Sequence, residues 1–226
     1  MLYLTLSLIP VMYLIIRVYA LKTGQERIST GHPIQTEKRK NTALLVMDVQ
    51  RDLFNEDGKA FLGLPNADEF IRKTNTIIKQ ANRNGWLVIY IQNEYRDDIL
   101  LRMLTNGAMR PDSDGIALDD RLLVIDQGLR INKNKCDAFS NPVLENALDQ
   151  ANIGKLFILG ADARYCVRAT ALAGLNRLYE VSLLDDLVAT KPAKALTETL
   201  NALRTKGIGL VSSSALLSKK NRSDKN

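Results

Sequence analysis

Apolar residues in this chain fall in short unbroken runs, separated by stretches where they recur at helical spacing. Residues 42–47 (TALLVM) form the clearest run, as expected of a strand covered on both faces of a parallel sheet. Similar runs at 86–91, 129–131, 155–159, 180–184 and 207–211 predict five more strands. Between the first two, Asn66 can cap a helix with Asp68 and Glu69 in its first turn. Phe70, Ile71, Ile77 and Ile78 then supply one apolar face, up to a stop at Asn84-Gly85. Further helices are expected over 144–151, 164–178 and 193–206. Strand and helix alternate, which predicts an α/β fold of three α/β/α layers around a doubly wound, mainly parallel sheet of about six strands. Residues 94–121 are too long for an ordinary connection and form a candidate lid or specificity loop.

The two ends differ from this body. Residues 1–16 (MLYLTLSLIPVMYLII) carry no charge, and the run extends to Leu21, about 20 residues or roughly 30 Å of helix. This predicts an N-terminal membrane anchor helix over 1–21, with Arg17 near its end able to snorkel to the headgroups. The basic residues all follow the run, which places the body in the cytoplasm. An amphipathic surface helix, or a start site set too early on a soluble cytoplasmic protein, are the alternatives. Residues 22–41 read as a polar basic linker containing Gly24, Gly31 and Pro33; 42–212 form the folded domain; 213–226 read as a basic disordered tail.

Composition narrows the chemistry. The net charge is +6, but residues 17–40 hold +4 and 218–226 hold +3, leaving −1 for the body. No basic stripe runs along a predicted helix, so no nucleic-acid partner is expected. With one histidine, His32, and two cysteines, Cys136 and Cys166, there are too few ligands for a zinc finger or a multi-histidine zinc site. A Ser-His-Asp or Cys-His arrangement would require His32, which lies in the polar stretch. Catalysis must therefore run on carboxylates, lysines or a thiol, with no metal or other cofactor expected.

Three positions at strand ends suit such chemistry, since ligands of doubly wound sheets bind there. Asp48 follows the first strand, where a partly desolvated carboxylate suits proton transfer; a turn cap is the plainer reading. Lys133 and Lys135 leave the third strand, where a lysine could hold a catalytic acid ionised and stabilise a thiolate, or simply be exposed. Cys166 would occupy the first turn of a helix, where unpaired N–H groups and the helix dipole favour a thiolate and an oxyanion, or be a buried structural cysteine. Cys136, with no helix behind it, reads as structural or incidental.

Together these segments resemble the isochorismatase-like cysteine hydrolases, which include nicotinamidases and N-carbamoylsarcosine and ureidoacrylate amidohydrolases. ALLVMDVQRDLF is similar to the family's first strand and catalytic aspartate, Asp48. KNKCDAFSNPVLENAL is similar to its lysine segment, where the lysine five residues before Ala138 is Lys133. GADARYCVRATA is similar to its nucleophile segment, giving Cys166. The resemblance covers residues 42 to about 212. It implies a cis peptide between Ala161 and Asp162, and an oxyanion hole made by the backbone N–H groups of Asp162 and Cys166.

The resemblance further implies a homo-oligomer, dimer or tetramer, acting on a small molecule. Nicotinamidases of this kind carry an Asp and several histidines as a metal site after the second strand. Here that region reads IQNEYRDD, so such a site is not expected. Retention of Cys166 favours cleavage of a C–N bond in a small amide or ureido compound through a thioester. The alternatives are an isochorismatase-type enol-ether hydrolase that needs Asp48 but not the thiol, and a non-catalytic, membrane-tethered binding protein. Gln50, Phe54, Gln92 and Asn93 lie just past strand ends and are candidate pocket walls.

Overall fold

The six apolar runs become the strands of one sheet. In a computed structural model describing residues 2–218, they are β1 (Asn41–Met47), β2 (Leu87–Asn93), β3 (Leu129–Lys133), β4 (Ile153–Ala161), β5 (Glu180–Ala189) and β6 (Gly209–Val211). All pairings are parallel, in the order β3-β2-β1-β4-β5-β6. The chain winds outward from β1 to β3, then returns to the middle at β4, so the sheet reverses direction between β1 and β4. Ligands of such folds bind outside the strand ends at that crevice.

The helices are α1 (Leu2–Glu26), α2 (Arg51–Phe54), α3 (Ala67–Arg83), α4 (Ile99–Leu104), α5 (Pro142–Gln150), α6 (Cys166–Asn176), α7 (Leu196–Thr205) and α8 (Ser213–Ser218). They sandwich the sheet, and β1 is fully buried from Ala43 to Met47. Its side chains alternate between two cores. Leu45 and Met47 meet Leu144, Val167 and Ala171 on the α5/α6 face, while Leu44 and Val46 meet Ile71, Ile77 and Ile78 of α3 on the other. The close approach of β4 to β1 depends on Gly160, which lies opposite Met47 at φ +112°, where a Cβ would overlap the Met47 carbonyl.

Both ends of the chain depart from expectation. Residues 1–21 were expected to form a spanning anchor, yet among the described residues no helix is long and apolar enough to cross a membrane. The last turns of α1 carry Arg17, Lys22 and Glu26 and lie against the body: Arg17 pairs with Asp98 at 3.4 Å, and the Cys136 N–H donates to the Gln25 carbonyl at 2.9 Å.

The expected linker is docked rather than free. The Ser29 N–H donates to buried Asp137 at 2.8 Å, and Ile34 N–H donates to the Arg177 carbonyl at 2.9 Å. Of the expected disordered tail, residues 213–218 form α8, held by Ser213 N–H and Oγ donating to Asp186 at 2.7 and 2.5 Å. The remainder of that tail lies outside the described residues.

Candidate active site

β1 ends at Met47, and Asp48 turns the chain with φ +50°, a left-handed conformation that Asp tolerates better than most residues. Its N–H donates to the Ile91 carbonyl at 2.9 Å, which keeps the carboxylate at the mouth of the crevice. Lys133 is the last residue of edge strand β3, but its side chain is fully withdrawn from solvent and reaches past β2. There its ammonium donates to Asp48 Oδ2 at 2.8 Å, to Asn93 Oδ1 at 3.1 Å and to Cys166 Sγ at 3.2 Å. Cys166 opens α6, so its N–H belongs to the helix's unpaired first turn. One ammonium thus joins the ends of β1, β2 and β3 to the start of α6.

The electrostatics follow from burial and these contacts. Burial works against the Lys133 charge, but Asp48 and Cys166 outweigh it and hold the ammonium above the usual lysine range. A hydrogen bond with Cys136, burial and the Asp48 carboxylate raise the Cys166 thiol well above its ordinary value, against the pull of Lys133. Cys136 is on the other side of that bond and titrates below its ordinary range. The second Asp48 oxygen, Oδ1, is buried without a hydrogen-bond partner. That leaves an unpartnered acceptor in the same cavity as the Cys166 thiol.

The Ala161–Asp162 peptide is cis. The Asp162 carboxylate accepts from the Arg164 N–H at 2.8 Å and Thr190 Oγ1 at 2.5 Å, which fixes the turn before Cys166. Burial raises its carboxyl above the ordinary range.

A cavity of about 470 Å³ opens over these groups, with Asp48, Asn93, Cys136, Asp162 and Cys166 at its polar end. The irregular 94–121 segment supplies α4 and Met109, whose N–H is held by buried Asp52 at 2.6 Å. Of the four expected pocket walls, Asn93 alone lines this cavity. Gln50 is fully buried, and its side chain stitches Asn93 N–H and carbonyl at 2.8 and 2.9 Å; Gln92 donates to the Ile116 carbonyl at 2.8 Å. Phe54 packs on Phe70 in the core, ring centroids 5.3 Å apart. Strand-end position marked these three residues, but their side chains are spent on holding the loop and core.

Sequence reasoning missed Cys136, half-buried Tyr95 and the stretch of α1 that covers the cavity. Cys136 lies three residues past Lys133, and nothing in the local pattern reveals that the β3 exit meets the start of α6.

The residues after β2 do not fit a metal site. Glu94 accepts from Asn132 Nδ2 at 2.9 Å, Asp98 caps α4 through the Leu101 N–H at 2.9 Å, and Asn93 holds Lys133. Among the described residues no cluster of three or more His, Cys, Asp or Glu side chains is placed to hold a metal ion.

Known proteins place this arrangement. Residues 42–215 match the isochorismatase domain model. An Arabidopsis thaliana protein described as a probable inactive nicotinamidase is 29% identical over 185 residues, 77% of this chain and 92% of that protein. Streptothricin hydrolase of Streptomyces noursei is 30% identical over 162 residues, 70% of this chain but 58% of that protein. Among solved structures, the pyrazinamidase of Pyrococcus horikoshii in complex with zinc is similar in fold, with a TM-score of 0.68 at 24% identity, over 76% of this chain and 99% of that one. N-carbamoylsarcosine amidase from Thermoplasma acidophilum gives a TM-score of 0.67 at 22% identity, over 77% and 97%. With the domain model spanning the whole sheet and every strand-end group described above, this chain belongs to the isochorismatase family of hydrolases.

Proposed function

We propose that the protein is a cysteine amidohydrolase that cleaves a C–N bond of a small amide or ureido compound through a thioester, with Asp48, Lys133 and Cys166 as its triad. The observation that carries this reading is the Lys133 ammonium within hydrogen-bond reach of both Asp48 and Cys166. Asp48 takes the thiol proton on its unpartnered oxygen, and Lys133 stabilises the resulting charges. The thiolate attacks the carbonyl carbon. The N–H groups of Asp162 and Cys166 receive the oxyanion, each contributing about 3 kcal/mol. Asp48 then gives the proton to the departing ammonia or amine. Water, activated by the same carboxylate, hydrolyses the thioester and restores the thiol.

The amidase names among the solved neighbours agree with the amide chemistry proposed. The test is ammonia release from a panel of small amides and ureido compounds by the full chain and by Cys166→Ala. Release that disappears in the variant supports the triad. Turnover of isochorismate that survives in the variant would instead indicate enol-ether cleavage by Asp48 without the thiol. Silence toward every compound would leave a binding protein on a hydrolase fold.

A further inference from the structure

α1 closes the cavity over the triad. Val18, Leu21 and Gln25 recur at helical spacing on one stripe of the helix, and all three line the cavity that holds Asp48 and Cys166. Val18 and Leu21 are half-buried, whereas Tyr19 on the opposite side is 69% exposed. Facing them are Leu53, Leu62, Leu101 and Leu104. The charged residues there are otherwise engaged or peripheral. Lys133 is bound to Asp48, Lys191 donates to the Phe61 carbonyl at 3.1 Å, and Lys22 is exposed at the rim. Two lining residues carry buried oxygens without a hydrogen-bond partner, Asp48 Oδ1 and Gln25 Oε1. Both are acceptors, so a ligand that meets them does so as a donor.

We propose that α1 is a wall of the active site, and that the substrate is a neutral primary amide whose apolar acyl group packs beneath Val18 and Leu21 while its N–H groups meet Gln25. This rests on Cys166 as the nucleophile. The overall change is hydrolysis of RCONH₂ with water to RCOOH and ammonia, with R aliphatic. Binding of R removes apolar surface from water on both sides, and a carboxylate in R would have no buried cation to meet.

The full chain is assayed for ammonia release from acetamide, butanamide and hexanamide, with N-carbamoylglycine and succinamate as charged comparators. kcat/KM is expected to rise roughly two- to fourfold per added methylene. Leu21→Asp is expected to bring the hexanamide-to-acetamide ratio to about one, and Leu21→Phe, which keeps the wall apolar, to move the preference to shorter chains. A flat series, or a preference for the charged compounds, overturns the proposal while leaving the amidohydrolase reading intact. A second readout needs no turnover: methyl, propyl and hexyl methanethiosulfonates form a mixed disulfide with a thiolate and release methanesulfinate. Peptide mass spectrometry then gives the rate at Cys166. Faster labelling by the longer reagents, lost in Leu21→Asp, supports the wall even if no amide is cleaved; equal rates in both proteins overturn it.

Discussion

The Lys133 ammonium stands 2.8 Å from one oxygen of Asp48, and both side chains are shut away from solvent. Such a pair adds little net stability, but deleting one member strands the other charge in a poor dielectric at about 3–5 kcal/mol. Lys133→Met is therefore expected to lower the unfolding free energy by about that much, with the Asp48→Asn/Lys133→Met double variant recovering most of it. Because Lys133 titrates above its usual range when folded, its contribution is complete below about pH 10.4 and is lost as pH rises beyond that. Urea unfolding at neutral pH measures both differences. A double variant no more stable than the single one would show that the stranded charge is not the cause. Ammonia release is expected to fall at least about a thousandfold in either protein.

Cys136 reads from sequence as structural or incidental, yet its free thiol lines the same cavity as Cys166 and acts on it through a hydrogen bond. That bond is the largest influence raising the Cys166 thiol, so removing it lowers the pH at which Cys166 ionises. In Cys136→Ala, the midpoint for iodoacetamide labelling of Cys166 is expected to shift to lower pH, and the alkaline rise in labelling to begin earlier. Peptide mass spectrometry across a pH series reads the shift. An unchanged midpoint would mean that burial and Asp48 alone set it.

Gly160 is expected to tolerate no side chain. At φ +112° any L-residue is strained, and the Cβ would meet the Met47 carbonyl of the neighbouring strand. Gly160→Ala should cost about 3 kcal/mol or more, a fall in melting temperature of roughly 6–12 °C for a chain of this size. Gly63 separates the two causes, because it has φ +66° but open space around it. Gly63→Ala should cost about 1 kcal/mol. Equal losses at both positions would rule out the strand contact.

The parts of this architecture visible in sequence are those fixed by local rules. The β1 run is apolar throughout because helices cover both its faces, so its limits shift by only one residue between pattern and structure. β5 was expected to end at residue 184 but continues to Ala189. Asp185 and Asp186 interrupt the apolar run, and the reason for Asp186 lies far along the chain, at Ser213 of α8. Asp48, Lys133 and Cys166, which the fold brings together, were legible as candidates because one follows a strand, one ends a strand and one opens a helix. The cavity wall was not. An apolar N-terminal run has the composition of a membrane segment, and its stripe of Val18, Leu21 and Gln25 acquires meaning only when α4 and the β3 exit are folded beneath it.

Arg177, 3% exposed in its side chain, holds the stretch that follows that wall. It donates to Glu145 at 2.9 Å, to Ser29 Oγ and the Ala173 carbonyl at 3.1 Å each, and lies 4.5 Å from the Phe139 ring centre. Gly31 packs so tightly on the guanidinium that a Cβ could not fit, and Ile34 N–H donates to the Arg177 carbonyl. The stretch joining α1 to β1 is thus pinned along the body. Arg177→Ala should cost about 2–4 kcal/mol, since it removes several charge-assisted bonds and buried packing at once. Arg177→Lys should restore little of this, because an ammonium cannot match the planar fork. Both variants should speed hydrogen exchange at the Ser29 and Ile34 amides and expose the Arg27 bond to trypsin. Gly31→Ala tests the same clamp without altering charge, and its exchange pattern should match. If α1 is positioned by this clamp, the hexanamide-to-acetamide ratio must fall in step with the loss of protection. Faster exchange with an unchanged ratio would show that α1 is held by its own contacts, Arg17–Asp98, Gln25–Cys136 and Glu26–Arg168.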